Sequence, residues 1–112
     1  MYDYIINELY KLRFTPMCTP LNLIDNAKLA NYDYVKFKKS RDEKHMEAEM
    51  CCLCSDGVKR VFVYMFDKRD WLMEIHIIDE HMTKVFSRDD EIDYLIEEYE
   101  RQKNKLTDSE AG

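Results

Sequence analysis

Three consecutive segments between residues 46 and 86 constrain the fold of this chain most. Segments 47–54, 58–66 and 71–78 each have the length of a β-strand and are rich in β-branched, aromatic and sulfur-containing residues. The connections at 55–57 and 67–70 are short and polar, and the first contains a glycine, which is the composition of tight turns. Short turns join antiparallel neighbours, so the sequence predicts an antiparallel meander.

Two further strands extend this sheet. In residues 32–39 the set Tyr32, Tyr34, Lys36 and Lys38 alternates with Asp33, Val35 and Phe37, which predicts a strand. Its lysines are typical of a strand at a sheet edge, because they oppose edge-to-edge pairing. Residues 40–45 are polar and predict a loop. A short last strand is predicted at 82–86. We therefore expect four to five strands.

Helices are predicted at both ends of the chain. Asp3 is placed to cap a first helix that ends near Arg13, and Thr19 precedes Pro20 in a second helix that reaches about Ala30. Ser87 caps a last helix whose first turn is acidic and whose last turn is basic, as the helix dipole favours. The fold class we expect is a two-layer α+β sandwich, with one domain over 1–106 and a disordered tail over 107–112.

The third strand is apolar on both sides, as expected of a central strand. Simple register predicts that the fourth strand points Trp71, Met73, Ile75 and Ile77 into the core. A second apolar sheet face is then predicted to contain Phe62, Tyr64, Phe66, Leu72 and Ile78. An apolar face of this kind has to be covered, so an N-terminal helix, a homodimer or a partner protein is implied.

Composition indicates a globular protein, with 46% hydrophobic and 36% charged residues. No apolar run approaches the roughly 20 residues that a membrane-spanning helix needs. The first residues lack the pattern of a secretory signal, and three of the four cysteines are packed into positions 51–54 instead of being spread as in a disulfide framework. We expect a cytoplasmic protein with reduced thiols.

The net charge of −6 is concentrated in the second half of the chain. Residues 1–60 contain 10 basic and 9 acidic residues, whereas residues 61–112 contain 7 basic and 14 acidic residues. This distribution argues against general nucleic-acid binding, which needs a basic surface to displace counterions from phosphates.

Four carboxylates of the last helix form what we call the acidic stripe: Asp90, Asp93, Glu97 and Glu100. Their steps of three and four place them on one helix face, about 120° from the apolar residues of the same helix. Tyr94 also points away from the apolar side. An ordinary solvated face would show the same pattern. The sharper hypothesis is that the acidic stripe and Tyr94 dock on a basic surface of a partner protein, such as the nucleic-acid groove of an enzyme.

Two alternative functions remain open from the sequence. The first is a nucleic-acid-binding module that uses the rings and cations of strand 32–41, namely Tyr34, Lys36, Phe37, Lys38 and Arg41. The second is a zinc site that combines Cys51, Cys52 and Cys54 with a histidine. Strand alternation sends Cys51 to the opposite face from the other two thiols, so buried free thiols are the simpler interpretation.

No catalytic signature is recognisable. A Cys51 nucleophile with His76 as base is conceivable on a shared sheet face, but there is no glycine-rich phosphate loop, nucleophile elbow or H-E-x-x-H motif. We expect a protein that is not an enzyme and that needs no cofactor.

Overall fold

The computed structural model describes residues 2–111, with the side chains of residues 2–105. The elements follow the chain in the order α1 (Tyr2–Phe14), α2 (Pro20–Asn26), β1 (Tyr32–Lys39), β2 (Met46–Leu53), β3 (Lys59–Phe66), β4 (Leu72–Ile78), β5 (Met82–Ser87) and α3 (Arg88–Ala111). The five strands form one antiparallel sheet in the order β1-β2-β3-β4-β5. The predicted α+β meander with two N-terminal helices and one C-terminal helix is confirmed.

The turns obey the predicted chemistry. Gly57 has φ +82°, a conformation that side chains rarely adopt, and this allows the tight turn from β2 to β3. Before α2, the Asn22 side chain accepts a 2.8 Å hydrogen bond from the Thr19 N–H, which closes the start of that helix.

Three helix boundaries differ from the prediction. α3 continues to Ala111, so its last turn is not the basic one that the sequence predicted. Asp3 lies inside the first turn of α1 and not at its cap. The second helix ends at Asn26, before the predicted Ala30, and tight turns follow it, with Lys28 N–H donating to the Asp25 carbonyl. The tail predicted to be disordered, 107–112, falls on residues whose side chains lie outside the described part, and that expectation stays a prediction.

The helices lie on one face of the sheet. Leu23 of α2 packs with Ala48, Met50, Phe66 and Leu72 in one buried cluster. A second cluster joins Ile5 and Leu12 of α1 to Leu95 of α3, with Phe86 of β5 touching both clusters. The core is therefore continuous from α2 through the inner sheet face to the α1–α3 pair.

The predicted outward side was wrong for β3 and for Leu72 of β4. It was correct for the rest of the β4 pattern, since Ile75 and Ile77 lie on the inner face and Ile78 on the outer one. Residues directly opposite in antiparallel strands share a face, and the register pairs Met50 with Phe62 and Ala48 with Tyr64. The ring of Phe66 and the side chain of Leu72 are only 2% and 5% exposed on this inner face. An irregularity after Met65 places Leu72 opposite Phe66 and so reverses the predicted side of Leu72.

The outer sheet face contains both polar and apolar side chains and is not the apolar face that the sequence predicted. It presents polar side chains such as Glu49, Glu74 and His76 around the apolar positions of β3. Val63, between its register neighbours Glu49 and His76, is only 2% exposed. Of the three alternatives for covering Phe62, Tyr64, Phe66, Leu72 and Ile78, the structure shows an N-terminal helix, because Phe66 and Leu72 are buried with Leu23 of α2. The homodimer predicted through these residues thus loses its basis.

The molecule is elongated, with extents of 58 × 34 × 26 Å and a radius of gyration of 17.8 Å. A compact domain of this length has a radius of gyration of about 13 Å. The 24 residues of α3 form a helix about 36 Å long that accounts for much of the difference. Among the helices of residues 2–111, none combines the length and the apolar character needed to cross a lipid bilayer.

Candidate functional site

The start of α3 is fixed by Ser87, which precedes the helix, and by Arg88, which is its first residue. The Ser87 hydroxyl accepts a 3.2 Å hydrogen bond from the Asp90 N–H and so satisfies one of the free donors at the helix start. Asp89, Asp90 and Glu91 fill the first turn, where negative charge is favoured by the helix dipole. The acidic surface therefore begins at a well-defined helix terminus.

Arg88 anchors this terminus in the core, a role that the sequence did not reveal. Its side chain is 3% exposed, and its guanidinium donates to four backbone carbonyls. Three of these bonds measure 2.8 Å to Leu72, 2.9 Å to Thr15 and 2.8 Å to Pro16, and the fourth goes to Leu12.

These contacts explain how a cation is tolerated in the interior. The carbonyl of Leu12 is one of the last four of α1, which have no partner inside their own helix and carry the negative end of its dipole. Arg88 supplies donors to that end and joins it to β4 through Leu72. The guanidinium also lies 5.3 Å from the Trp71 ring centroid. Arg88 thus ties α1, β4 and α3 together.

The structure places all five predicted site residues on the exposed side of α3: Asp90, Asp93, Tyr94, Glu97 and Glu100. Tyr94 is 58% exposed. On the opposite side of the same helix, Leu95 is buried and Ile92 and Tyr99 pack against α1. The acidic stripe is therefore a continuous outward row, about 15 Å from its first to its last residue.

Neighbouring cations neutralise only part of the acidic stripe. Lys84 of β5 lies 3.0 Å from Asp90, and the hydrogen bond to that carboxylate raises the pKa of Lys84. Arg101 pairs with Glu98, which is outside the stripe. Within the described side chains, Asp93 and Glu97 form no ion pair. Sequence reasoning did not identify Lys84 as a partner, because the contact joins a strand to the helix that follows it.

Of the residues proposed for nucleic-acid binding, Tyr34, Lys36 and Lys38 share the outer face of the sheet, but a carboxylate lies among them. The Tyr34 hydroxyl donates a 2.8 Å hydrogen bond to Glu49, and the Lys38 amine lies 3.3 Å from the same carboxylate. These contacts, with the Tyr34 bond contributing most, lower the pKa of Glu49 and keep it charged. Phe37 lies opposite Ala48 and so points to the helix side of the sheet. A carboxylate thus occupies the centre of the predicted basic surface.

The cysteine cluster is likewise dispersed. Cys52 is buried on the inner face, whereas the Cys51 thiol lies 3.7 Å from Asp33 on the outer one. Burial raises the pKa of both thiols. In the described part of the chain, no three His, Cys, Asp or Glu side chains are placed to hold a metal ion.

Cys51 and His76 do not form a catalytic pair. Register places them two strands and two residues apart, on the order of 12 Å. His76 instead lies 2.7 Å from Glu74 on its own strand. The structure therefore does not assemble the nucleophile and base that the sequence left conceivable.

These observations leave the acidic side of α3 as the candidate site. It is rigidly mounted, exposed and only partly neutralised. No protein-family model, curated protein or solved structure matches this chain.

Proposed function

We propose that this protein is a non-enzymatic binding protein that docks the acidic stripe and Tyr94 on a basic surface of a partner protein. The observation that carries the proposal is the pair of exposed carboxylates at Asp93 and Glu97, which have no cationic partner among the described residues and flank an exposed tyrosine. Charge of one sign in a row attracts a surface of the opposite sign and speeds the encounter.

Tyr94 gives this surface a second kind of contact. It precedes Glu97 by one helical turn and follows Asp90 by another, so its ring lies among the carboxylates. Tyrosine contributes a large contact area with few rotatable bonds, and it is enriched among the residues that dominate binding energies. A basic partner with an apolar hollow between its cations would fit both components.

The fixed position of α3 favours binding, because the helix does not have to become ordered when a partner binds. Ser87 fixes the first turn, Arg88 fixes the backbone around it, and Leu95 packs into the core. A preformed surface loses less conformational entropy on association than a flexible one. Affinity can then come from a modest contact area.

The partner class we propose is an enzyme that handles nucleic acid, since its substrate groove presents cations in a row. A chain of this charge would act there as an inhibitor. The proposal includes a cytoplasmic location, which rests on the close spacing of Cys51, Cys52 and Cys54 in the sequence.

The test is affinity capture from extract of the source organism, with three baits compared by quantitative mass spectrometry. These are the wild type, the double variant Asp93→Lys/Glu97→Lys, and the control Asp25→Lys/Glu80→Lys, which makes the same charge change at exposed positions away from α3. We expect a basic protein to be enriched by the wild type and the control and to be lost with the α3 variant. Equal capture by all three baits would refute the proposal.

A further inference from the structure

The outer side of α1 carries an exposed apolar face that the acidic stripe does not use. Ile6, Tyr10 and Phe14 are 50%, 61% and 63% exposed, although α1 packs firmly on α3 through Ile5 and Leu12. The rings of Tyr10 and Phe14 lie 5.1 Å apart and form one continuous aromatic surface. Beside it, between α1 and α3, runs an apolar groove of about 360 Å³.

Two opposite charges frame this face. Asp3 and Arg13 stand near the two ends of α1, and at 100° per residue they fall within the same arc of about 100° as Ile6, Tyr10 and Phe14. Both are exposed, and neither forms an ion pair within the described part of the chain. The face is thus acidic at its first end and apolar in the middle, and at its other end Arg13 lies beside Phe14.

We propose that this face binds a second copy of the chain. The two α1 helices would then be antiparallel, related by a two-fold axis that crosses them at the level of residue 8. That axis places Asp3 of each copy beside Arg13 of the other, and Ile6 beside Tyr10, because both pairs are symmetric about position 8. A two-fold interface requires a surface that is complementary to itself, and the order acid, apolar, base meets that requirement when one copy is reversed.

The arrangement of the helices leaves room for the second copy. Arg88 contacts Leu12 near the end of α1, and the Tyr2 and Tyr99 rings lie 5.3 Å apart at its start, so α1 and α3 are antiparallel. The apolar face of α1 points away from that contact, and the acidic stripe lies on another side of α3. The proposed dimer therefore presents both acidic stripes to solvent.

The size of the face sets the expected strength. Tyr10 and Phe14 together expose about 250 Å² when an aromatic side chain is taken as roughly 200 Å². The whole face is smaller than the roughly 800 Å² per partner of a standard interface. We therefore expect a weak dimer, with a dissociation constant on the order of tens of micromolar.

Analytical ultracentrifugation of the full chain between about 5 and 500 μM tests the proposal. The expected mass rises with concentration from the 13.6 kDa of one chain toward twice that value. Tyr10→Lys should keep the protein monomeric throughout. Tyr4→Lys is the matched control, since Tyr4 is 63% exposed on the same helix but lies about 120° around it from Tyr10, and it should dimerise like the wild type.

The most specific test exchanges the charges of Asp3 and Arg13. Asp3→Arg turns two attractions of the dimer into repulsions and should weaken it roughly tenfold, and Arg13→Asp should do the same. The double variant Asp3→Arg/Arg13→Asp restores opposite charges across the two-fold axis and should recover most of the wild-type affinity. Circular dichroism melting checks that each variant remains folded.

Three outcomes would overturn the proposal. They are a wild type that stays monomeric at 500 μM, a dimer that Tyr10→Lys does not weaken, and a double exchange that dimerises no better than the single ones. Because none of these variants touches α3, their failure would leave the proposed function of the acidic stripe intact, and its failure would leave the dimer intact.

Discussion

Replacing Arg88 by methionine should destabilise the fold more than any other single change of a charged residue in this protein. The substitution keeps an unbranched side chain but removes all the donors that reach Leu12, Thr15, Pro16 and Leu72. The bonds from Arg88 to the carbonyls of Leu12 and Leu72 are buried, so water cannot replace the guanidinium there. In the variant both carbonyls lose their bond to the guanidinium.

The magnitude follows from those two carbonyls. A buried polar group that loses its partner costs about 1 to 3 kcal/mol, so two cost about 2 to 6 kcal/mol. Removing the burial of the cation and releasing side-chain entropy, worth up to about 2 kcal/mol for an arginine, offset part of this loss. We expect the free energy of unfolding to fall by about 2 to 4 kcal/mol, a large share of the stability of a small domain.

Urea denaturation followed by tryptophan fluorescence measures this change directly, because Trp71 is the sole tryptophan and lies 5.3 Å from the Arg88 guanidinium. Arg69→Met is the matched control. The Arg69 guanidinium lies 3.9 Å from the same ring, but the Arg69 side chain is 54% exposed, so water can replace its bonds and its loss should cost about 1 kcal/mol. If Arg88→Met unfolded within about 0.5 kcal/mol of the wild type, the described role of Arg88 would be refuted.

Three further predictions concern stability and thiol chemistry. Asp56, whose pKa the Arg60 hydrogen bonds lower to about 2, contributes stability above its unfolded pKa near 4 that is lost as the pH falls toward 2. Asp56→Asn should therefore flatten the acid limb of the stability curve between about pH 4 and 2, and an unchanged limb would contradict the assignment. Phe66→Ala should lower the free energy of unfolding by about 3 to 5 kcal/mol in urea, since Phe66 is 2% exposed in the core, and a loss below about 1 kcal/mol would refute its placement. Cys52 should react with iodoacetamide far more slowly in the folded protein than in urea, because burial raises its pKa and hides it, and peptide mapping that shows equal rates would count against this.

The fold could be predicted because its signals are local. Alternation of side chains identified the strands, and Gly57 with its polar neighbours identified the turn between β2 and β3. The faces could not be assigned in the same way. β3 is apolar on both sides, so its own sequence does not distinguish the side of Phe62 and Tyr64. The side of Leu72 depends on the register irregularity after Met65, which is a property of the pairing of two strands.

The candidate site likewise has a part that could be predicted from local patterns and a part that could not. Helical spacing correctly placed Asp93, Tyr94 and Glu97 on the outside of α3, because the buried side of that helix is recognisable from its own apolar residues. The burial of Arg88 was not predictable, since its acceptors are backbone carbonyls up to 76 residues away. Backbone groups leave no trace in side-chain patterns, so a cation that binds them looks like any surface charge.

The central claim is that Asp93 and Glu97 form a docking surface, and the most direct test is the dissociation constant for the captured partner, measured by calorimetry at low and high salt. We predict that Asp93→Lys/Glu97→Lys weakens binding by at least about 30-fold at low salt, with a smaller difference at high salt, because exposed charges are screened. The control Asp25→Lys/Glu80→Lys should bind like the wild type. Equal affinities of the α3 variant and the wild type at low salt would contradict the account.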